Sequence, residues 1–245
     1  MMSPARRTFA RKMAAKAGKS AHARPGVLPA AEDGPAATEY ELMRAALGND
    51  LRQLSNTQSL EKKIELKRGM IERYRDWIEG ALAAEKPAQD DIVTTMLVWS
   101  IDIAEWPLAL DLARHVLDHG LTLPERYKRD PAVLVAEEFA EAGIVPEPTI
   151  DLATLLQIEG MTDMSDMPDE VRAKVNKAIG LAFKARSDAF DPEADSGMAG
   201  GKPALIAAAL ASLKRAVELD SRCGVKKIIT SLQAEAARIE KDKAA

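Results

Sequence analysis

The sequence has few residues that could form covalent cross-links or a membrane span. Its 245 residues include a single cysteine, Cys223, so no disulfide can form within the chain. No apolar run approaches the roughly 18 residues that a transmembrane helix needs. We therefore expect a protein without membrane segments that acts in the cytoplasm.

Aromatic residues are also scarce, at 4% of the chain, although 47% of all residues are hydrophobic. The hydrophobic fraction is large enough for a sizeable core. Alanine, leucine, glutamate, lysine and arginine are abundant, and these are good helix formers. The composition therefore predicts an all-α protein.

Acidic residues are missing from the first 31 positions, although the chain as a whole carries a net charge of −4. Seven of the 34 basic residues lie there, which leaves 27 basic against 38 acidic residues, a net charge of −11, in residues 32–245. Such segregation predicts an anionic partner. An organellar transit peptide and a solubility tail without a partner are the alternatives. The seven cations are Arg6, Arg7, Arg11, Lys12, Lys16, Lys19 and Arg24.

Glycine and proline divide the chain. They recur between residues 18 and 38 and interrupt any helix there, which indicates a tether. We therefore predict a basic flexible arm and tether over residues 1–38, called the basic arm below. Residues 39–86 should form a helical hairpin for oligomerisation, DNA binding or both. Residues 87–245 should form a core that resembles helical repeats.

Apolar residues recur at helical spacing over most of the remaining sequence. The first two helices should pair as an antiparallel hairpin, and the whole should be stacked helical hairpins. The segment ALASLKRAVELD, residues 209–220, resembles the second helix of a tetratricopeptide unit. The predicted helices cover approximately residues 40–54, 60–85, 91–103, 107–119, 132–142, 150–159, 168–186, 206–217 and 225–239.

Three groups of residues could form a metal-binding, phosphate-binding or catalytic site, and each also has a purely structural explanation. His115 and His119 have the spacing of two zinc ligands, but no third ligand is apparent, and two histidines in a last helical turn can complement the helix dipole. Gly200 to Lys202 departs from a phosphate loop, since Pro203 stands where Ser or Thr belongs. Four carboxylates could in principle bind Mg²⁺ for a nuclease, but helix starts commonly carry such residues. They are Asp90, Asp91, Asp102 and Glu105. We expect no catalytic residue, metal or cofactor.

The second predicted helix carries a group of basic residues interleaved with acidic ones. A DNA-binding surface and a solvated face with ion pairs along the helix are both consistent with this pattern. The basic residues of this group are Lys62, Lys63, Lys67, Arg68, Arg73 and Arg75. We take the first four of them, together with the seven cations of the basic arm, as the candidate DNA-binding residues.

Five segments resemble the small terminase subunits of cos-type temperate tailed bacteriophages, a family also labelled terminase endonuclease subunits. They cover about residues 40–232, together with SPARR near the start. The quoted segments are SPARR, YELMRAALGNDLRQL, AQDDIVTTMLVWSIDIAEWPLALDLARHVLDHGLTLP, DMPDEVRAKVNKAIG and LKRAVELDSRCGVKK.

The resemblance implies a protein that binds the packaging-initiation site on concatemeric double-stranded phage DNA in the host cytoplasm. It also implies a large terminase subunit as partner, which owns the ATPase and the nuclease, and a ring-shaped homo-oligomer. The basic arm would then contact phosphates in many copies around the ring. A protein-binding adaptor without a DNA role, and a metal-dependent endonuclease that uses Asp90 and Asp91, remain the alternatives.

Overall fold

The computed structural model describes Lys12 and residues 35–84, 87–191 and 200–244. Ten helices of eight or more residues account for most of these positions, and no strand occurs within the described ranges. The all-α prediction is confirmed. In chain order the helices are α1 (Pro35–Asn56), α2 (Leu60–Ile71), α3 (Arg75–Leu82), α4 (Asp91–Asp102), α5 (Trp106–Asp118), α6 (Pro131–Ile144), α7 (Leu152–Thr162), α8 (Asp169–Asp188), α9 (Gly201–Leu219) and α10 (Lys226–Ala244).

Local capping explains where several helices begin. The Ser59 side chain accepts a hydrogen bond from the Lys62 amide at the start of α2, and Asp151 accepts one from Thr154 at the start of α7. Pro168 directly precedes α8, and Asp169 and Glu170 occupy its first turn. These side chains satisfy or complement amides that have no partner within the helix. The predicted starts at about residues 60, 150 and 168 lie within two residues of those observed.

Several predicted boundaries differ from the structure, since α9 begins five residues earlier and α10 ends five residues later than predicted. The predicted helix over residues 60–85 is two helices, because the chain turns at residues 72–74. There the amides of Arg73 and Tyr74 bond to carbonyls three residues earlier, those of Met70 and Ile71. Within the described residues α1 spans Pro35–Asn56, so residues 35–38 of the predicted tether are helical.

The chain folds into two compact units, Met1–Pro131 and Ala132–Ala245. The predicted boundary at residue 86 lies inside the first unit. In that unit α4 is central, since it packs against α1, α2, α3 and α5. Residues 92–101 are buried without interruption, although they include Thr94, Thr95 and Ser100. The three hydroxyl groups donate to carbonyls of the preceding turn, so none lacks a partner.

In the second unit, α8 packs against α7 and α9, and α9 packs against α10. The Lys174 ammonium donates to Glu137 Oε1 at 2.7 Å and to Glu141 Oε1 at 2.6 Å, which ties α8 to α6. Leu213 and Leu232 belong to a core between α9 and α10. The tetratricopeptide-like detail stays a prediction. None of the described helices is both long and apolar enough to cross a membrane.

Candidate nucleic-acid interface

Most of the predicted DNA-binding residues of the basic arm lie outside the described residues. Lys12 is described, and it is exposed. The others are Arg6, Arg7, Arg11, Lys16, Lys19 and Arg24. The role of the arm therefore stays a prediction that rests on its charge.

The four candidate cations of α2 differ in their surroundings. Lys62 and Arg68 are exposed and Lys63 is half-buried, and none of the three forms an ion pair with a described residue. The Lys67 ammonium instead donates to Asp102 Oδ2 of α4, and its side chain is only 16% exposed. Lys67 thus holds α2 against α4, whereas Lys62, Lys63 and Arg68 are available to an external anion.

The outward face of α2 has mixed charge. Glu61 and Glu65 are exposed together with Lys62 and Arg68, so acidic and basic groups lie within a few residues of one another. Opposite charges at such spacing reduce the potential that either sign produces at a distance. By contrast, residues 1–31, which hold all seven cations of the basic arm, contain no acidic residue that could offset them. The arm is therefore the stronger candidate for phosphate contact.

The other two basic residues of the group, Arg73 and Arg75, stabilise the fold. Arg73 Nη1 lies 3.0 Å from both carboxylate oxygens of Asp50 in α1, and the Tyr74 hydroxyl donates to Asp50 Oδ2 at 2.7 Å. Burial, followed by the Asp50 hydrogen bond, raises the pKa of Tyr74 far above its ordinary value. The contacts of Arg73 and Tyr74 with Asp50 hold the turn after α2 against α1.

Arg75 makes the corresponding link toward α5. Its Nη2 donates to Glu105 Oε1 at 2.7 Å, and its Nε donates to both oxygens of Glu72 at 2.9 Å. The hydrogen bond from Arg75 lowers the pKa of the Glu72 carboxyl, so both partners stay charged near neutral pH. Arg75 is thus already neutralised by two carboxylates and offers little to DNA.

A groove of about 400 Å³ lies between α1 and α2. Its lining carries two cations, Lys62 and Arg73, and two carboxylates, Asp50 and Glu65, so the side chains carry no net charge. Such a lining gives no electrostatic preference for phosphate. The other lining residues are Gln53, Leu66, Gly69 and Met70.

Asp90, the first of the candidate metal ligands, caps α4. One carboxylate oxygen accepts from the Ile92 amide at 2.8 Å and the Val93 amide at 3.3 Å. The other accepts from Trp77 Nε1 at 2.7 Å. Burial raises the pKa of Asp90 to about 6, although these hydrogen bonds favour the ionised form. Both oxygens therefore already have protein donors.

The remaining candidate carboxylates also have partners and do not converge. Asp91 lies 3.7 Å from Arg44, Asp102 pairs with Lys67, and Glu105 pairs with Arg75. Within the described part of the chain, no group of three or more His, Cys, Asp or Glu side chains could hold a metal ion. The carboxylates of this region link helices to one another.

His115 and His119 lie close together at the end of α5, with ring centroids 4.9 Å apart. Burial, followed by repulsion from His119, lowers the pKa of His115 and so disfavours the charged ring that a complement to the helix dipole needs. His115 is part of the buried side of α5, and the helix-dipole interpretation stays a prediction.

A second group of exposed cations was not singled out by the sequence reasoning. Lys226 and Lys227 form the first turn of α10, and Arg222 lies in the turn that precedes it. The local signal is a helix start with two lysines and no acidic residue in its first turn. Helix starts ordinarily favour carboxylates, so this sequence is unusual for its position.

Comparison with known proteins places these features in context. The sequence model of the family described as phage small terminase subunit matches residues 44–170. The chain is 37% identical over 202 residues to the protein of Escherichia phage P2 named "Terminase, endonuclease subunit". That alignment covers 81% of this chain and 75% of the P2 protein. No solved structure gives a significant match.

Proposed function

The chain belongs to the phage small terminase subunit family, as its motifs predicted, and we propose that it is the subunit that recognises DNA during packaging. Membership assigns it a role in phage DNA packaging. The finer proposal is that it binds the packaging-initiation site of concatemeric double-stranded DNA in the host cytoplasm. It then presents that site to the large terminase subunit, which carries the ATPase and the nuclease.

The observation that carries this proposal is the segregation of charge. Residues 1–31 hold seven cations and no acidic residue, whereas the rest of the chain is strongly acidic. Each cation that neutralises a phosphate releases condensed counterions, which makes the affinity high at low salt and steeply salt-dependent. An acidic body also repels DNA, so contact concentrates on the basic arm. On α2, Lys62, Lys63 and Arg68 are the supporting candidates.

A ring-shaped homo-oligomer is the second part of the proposal. Each basic arm alone binds DNA weakly in the presence of salt. Several arms joined in one oligomer bind with higher avidity, although no new kind of contact is added. Leu42 of α1 and Leu60 of α2 are 53% and 73% exposed, and we propose them as positions of subunit contact in the hairpin.

The P2 relative carries the name endonuclease subunit, and we propose that this chain does not itself cut DNA. Asp90 is held by α4 amides and by Trp77, and Asp91 pairs with Arg44. A two-metal nuclease needs carboxylates that converge on the metals. Cleavage in the assembled terminase would then come from the large subunit.

The proposed function is tested by competition between two duplexes of equal length. One contains the packaging-initiation region of the phage that encodes this chain, and the other contains the same bases in scrambled order. We expect the full chain to prefer the first duplex at near-physiological salt, and native mass spectrometry to show a closed homo-oligomer. Equal affinity for the two duplexes would contradict site recognition, and absence of binding to either would favour the protein-adaptor alternative.

A further inference from the structure

We infer that the turn between α9 and α10 carries a second contact surface for the phosphate backbone of duplex DNA. This turn surface consists of Arg222, Lys226 and Lys227, with the ammonium of Lys177 next to them. The inference rests on the proposed DNA-binding function, but it places a contact in the second unit, separate from the basic arm.

The turn is held in one conformation by several contacts. The Arg222 amide donates to Asp220 Oδ1 at 2.9 Å, and the Cys223 amide donates to the Asp220 carbonyl at 3.1 Å. Gly224 adopts a left-handed φ of 83°, which glycine tolerates without strain. Val225, which follows it, is fully buried in the core between α9 and α10. The turn therefore presents its exposed side chains from a fixed base.

Lys177 of α8 adds a further positive charge at this place. Its Nζ donates to the Cys223 carbonyl at 2.8 Å, which brings the ammonium to the turn itself. A lysine ammonium has three donor hydrogens, and this contact uses one of them. The charge is thus fixed next to the exposed cations by a contact between α8 and the turn.

Nearby acidic groups neutralise one cation of this surface and leave the others. Asp220 accepts the backbone bond described above and also pairs with Arg222, whose Nε lies 3.7 Å from its carboxylate. Glu218, in the last turn of α9, pairs with Arg215 at 3.0 Å. Lys226 and Lys227 are exposed and have no ion pair with any residue in the described ranges. The surface therefore keeps a positive excess.

The position of the two lysines is unfavourable for the isolated helix. Lys226 and Lys227 lie at the positive end of the α10 dipole, and the first turn contains no acidic residue. Residues that destabilise their own helix are expected at positions where function requires them. A bound polyanion would remove the repulsion, because its negative charge interacts favourably with both the lysines and the helix end.

The neighbouring exposed residues favour DNA over a protein as the partner. Ser221, Gly224, Thr230 and Ser231 are exposed and are small or polar, and no large apolar side chain is exposed among residues 220–231. Protein interfaces ordinarily centre on buried aromatic or other apolar anchors. Cations flanked by small polar groups instead suit contact with phosphate oxygens, which fix position without reading sequence.

The test uses two charge-matched variants of the full chain. Lys226→Gln with Lys227→Gln removes two cations from the turn surface. Arg238→Gln with Lys241→Gln removes two exposed cations from the later part of the same helix. DNA affinity is measured by fluorescence anisotropy over a salt series. We expect the log–log salt slope to flatten by about 2 for the first variant, and by less than half of that for the second.

The outcomes separate this inference from the proposed function. If the unaltered chain binds DNA and the two variants have the same slope and affinity, the inference is overturned and the proposed function stands. If the unaltered chain does not bind DNA, both fail. If the first variant keeps full DNA affinity but loses binding to the purified large terminase subunit, the turn surface is a protein-docking site and the inference is likewise overturned.

A reversal of charge gives an independent readout. Lys226→Glu with Lys227→Glu places carboxylates at the start of α10, where they complement the helix dipole. We expect this variant to melt at the same or a higher temperature than the unaltered chain and to bind DNA more weakly. Unchanged DNA binding by the folded variant would overturn the inference.

Discussion

Trp77 of α3 and Asp90 at the start of α4 are joined by a hydrogen bond in which the indole Nε1 donates to Oδ2 at 2.7 Å. The same carboxylate caps α4 through the amides of Ile92 and Val93. One side chain therefore fixes both the beginning of the central helix of the first unit and the position of α3 beside it. Because its oxygens already accept three hydrogen bonds, Asp90 is a structural residue.

Asp90→Ala should therefore lower stability without affecting DNA cleavage. Loss of the cap and of the Trp77 partner should reduce the free energy of unfolding by about 1–3 kcal/mol. Urea unfolding measures this change. Asp91→Ala is the matched control, since it removes a pair with the exposed Arg44 and a carboxylate from the first turn of α4 but no cap, and we expect a change of less than about 1 kcal/mol.

The same two variants test the endonuclease alternative when they are incubated with plasmid DNA and Mg²⁺. We expect no cutting by the unaltered chain or by either variant. Cutting by the unaltered chain that disappears in both variants, with their folds intact, would contradict the structural role of this pair.

Asp90 should also give stability a distinctive pH dependence. Burial raises its pKa to about 6, above the unfolded value of about 3.9, so in this window the folded chain holds a proton that the unfolded chain has lost. The contribution of Asp90 to the free energy of unfolding therefore decreases as the pH rises through the window.

This pH dependence is measured against Asp90→Asn, which cannot titrate. We expect the stability of the unaltered chain relative to this variant to be greater at about pH 4.5 than at about pH 7. Urea unfolding at several pH values gives the difference, and contributions from other titrating groups cancel in it. A difference that grows with pH would show that the folded state favours the ionised carboxylate.

Gly180 of α8 should not tolerate a larger side chain. A Cβ atom there would lie 2.6 Å from Leu213 Cγ and 3.1 Å from the Leu213 backbone nitrogen, so α8 and α9 would have to move apart. We expect Gly180→Ala to lower the free energy of unfolding by about 1–3 kcal/mol. Gly160→Ala in α7 is the control, because that site is open and alanine favours the helix by about 0.5–1 kcal/mol. Equal effects of the two substitutions on urea unfolding would disprove the close approach.

Asp50 should be the most sensitive carboxylate of the first unit. Asp50→Ala leaves the buried Tyr74 hydroxyl and the partly exposed Arg73 without their partner. We expect the free energy of unfolding to fall by about 2–4 kcal/mol. Tyr74→Phe removes one of these hydrogen bonds and keeps the ion pair, so a fall of about 1–2 kcal/mol should follow. A Tyr74→Phe loss as large as that of Asp50→Ala would show that Arg73 contributes nothing.

The helices could be predicted from the sequence wherever their boundaries depend on nearby residues. Asp90 and Pro168 are local start signals, and each stands next to the helix it was expected to begin. The break at residues 72–74 could not be predicted in this way. The apolar spacing of Ile71, Tyr74 and Ile78 continues across it, whereas the contact that holds the turn comes from α1.

The ionic contacts of the candidate interface were beyond prediction for the same reason. Lys67, Arg73 and Arg75 reach partners that lie 35, 23 and 30 residues away. The sequence alone could not divide the basic residues of this region into those that stabilise the fold and those that stay free. Asp50, the acidic residue within the apolar stripe of α1, was the available signal, because a carboxylate on a buried face needs a partner.

The central claim is that the basic arm anchors the chain to DNA through phosphate contacts. The most direct measurement is fluorescence anisotropy of a duplex over a salt series, with the full chain and a full-length variant in which all seven arm cations are glutamine. A second variant with Lys62, Lys63 and Arg68 as glutamine is the control. We predict that neutralising the arm weakens binding and flattens the log–log salt slope by as much as about 6, well beyond the control. An unchanged slope and affinity in the arm variant would contradict the account.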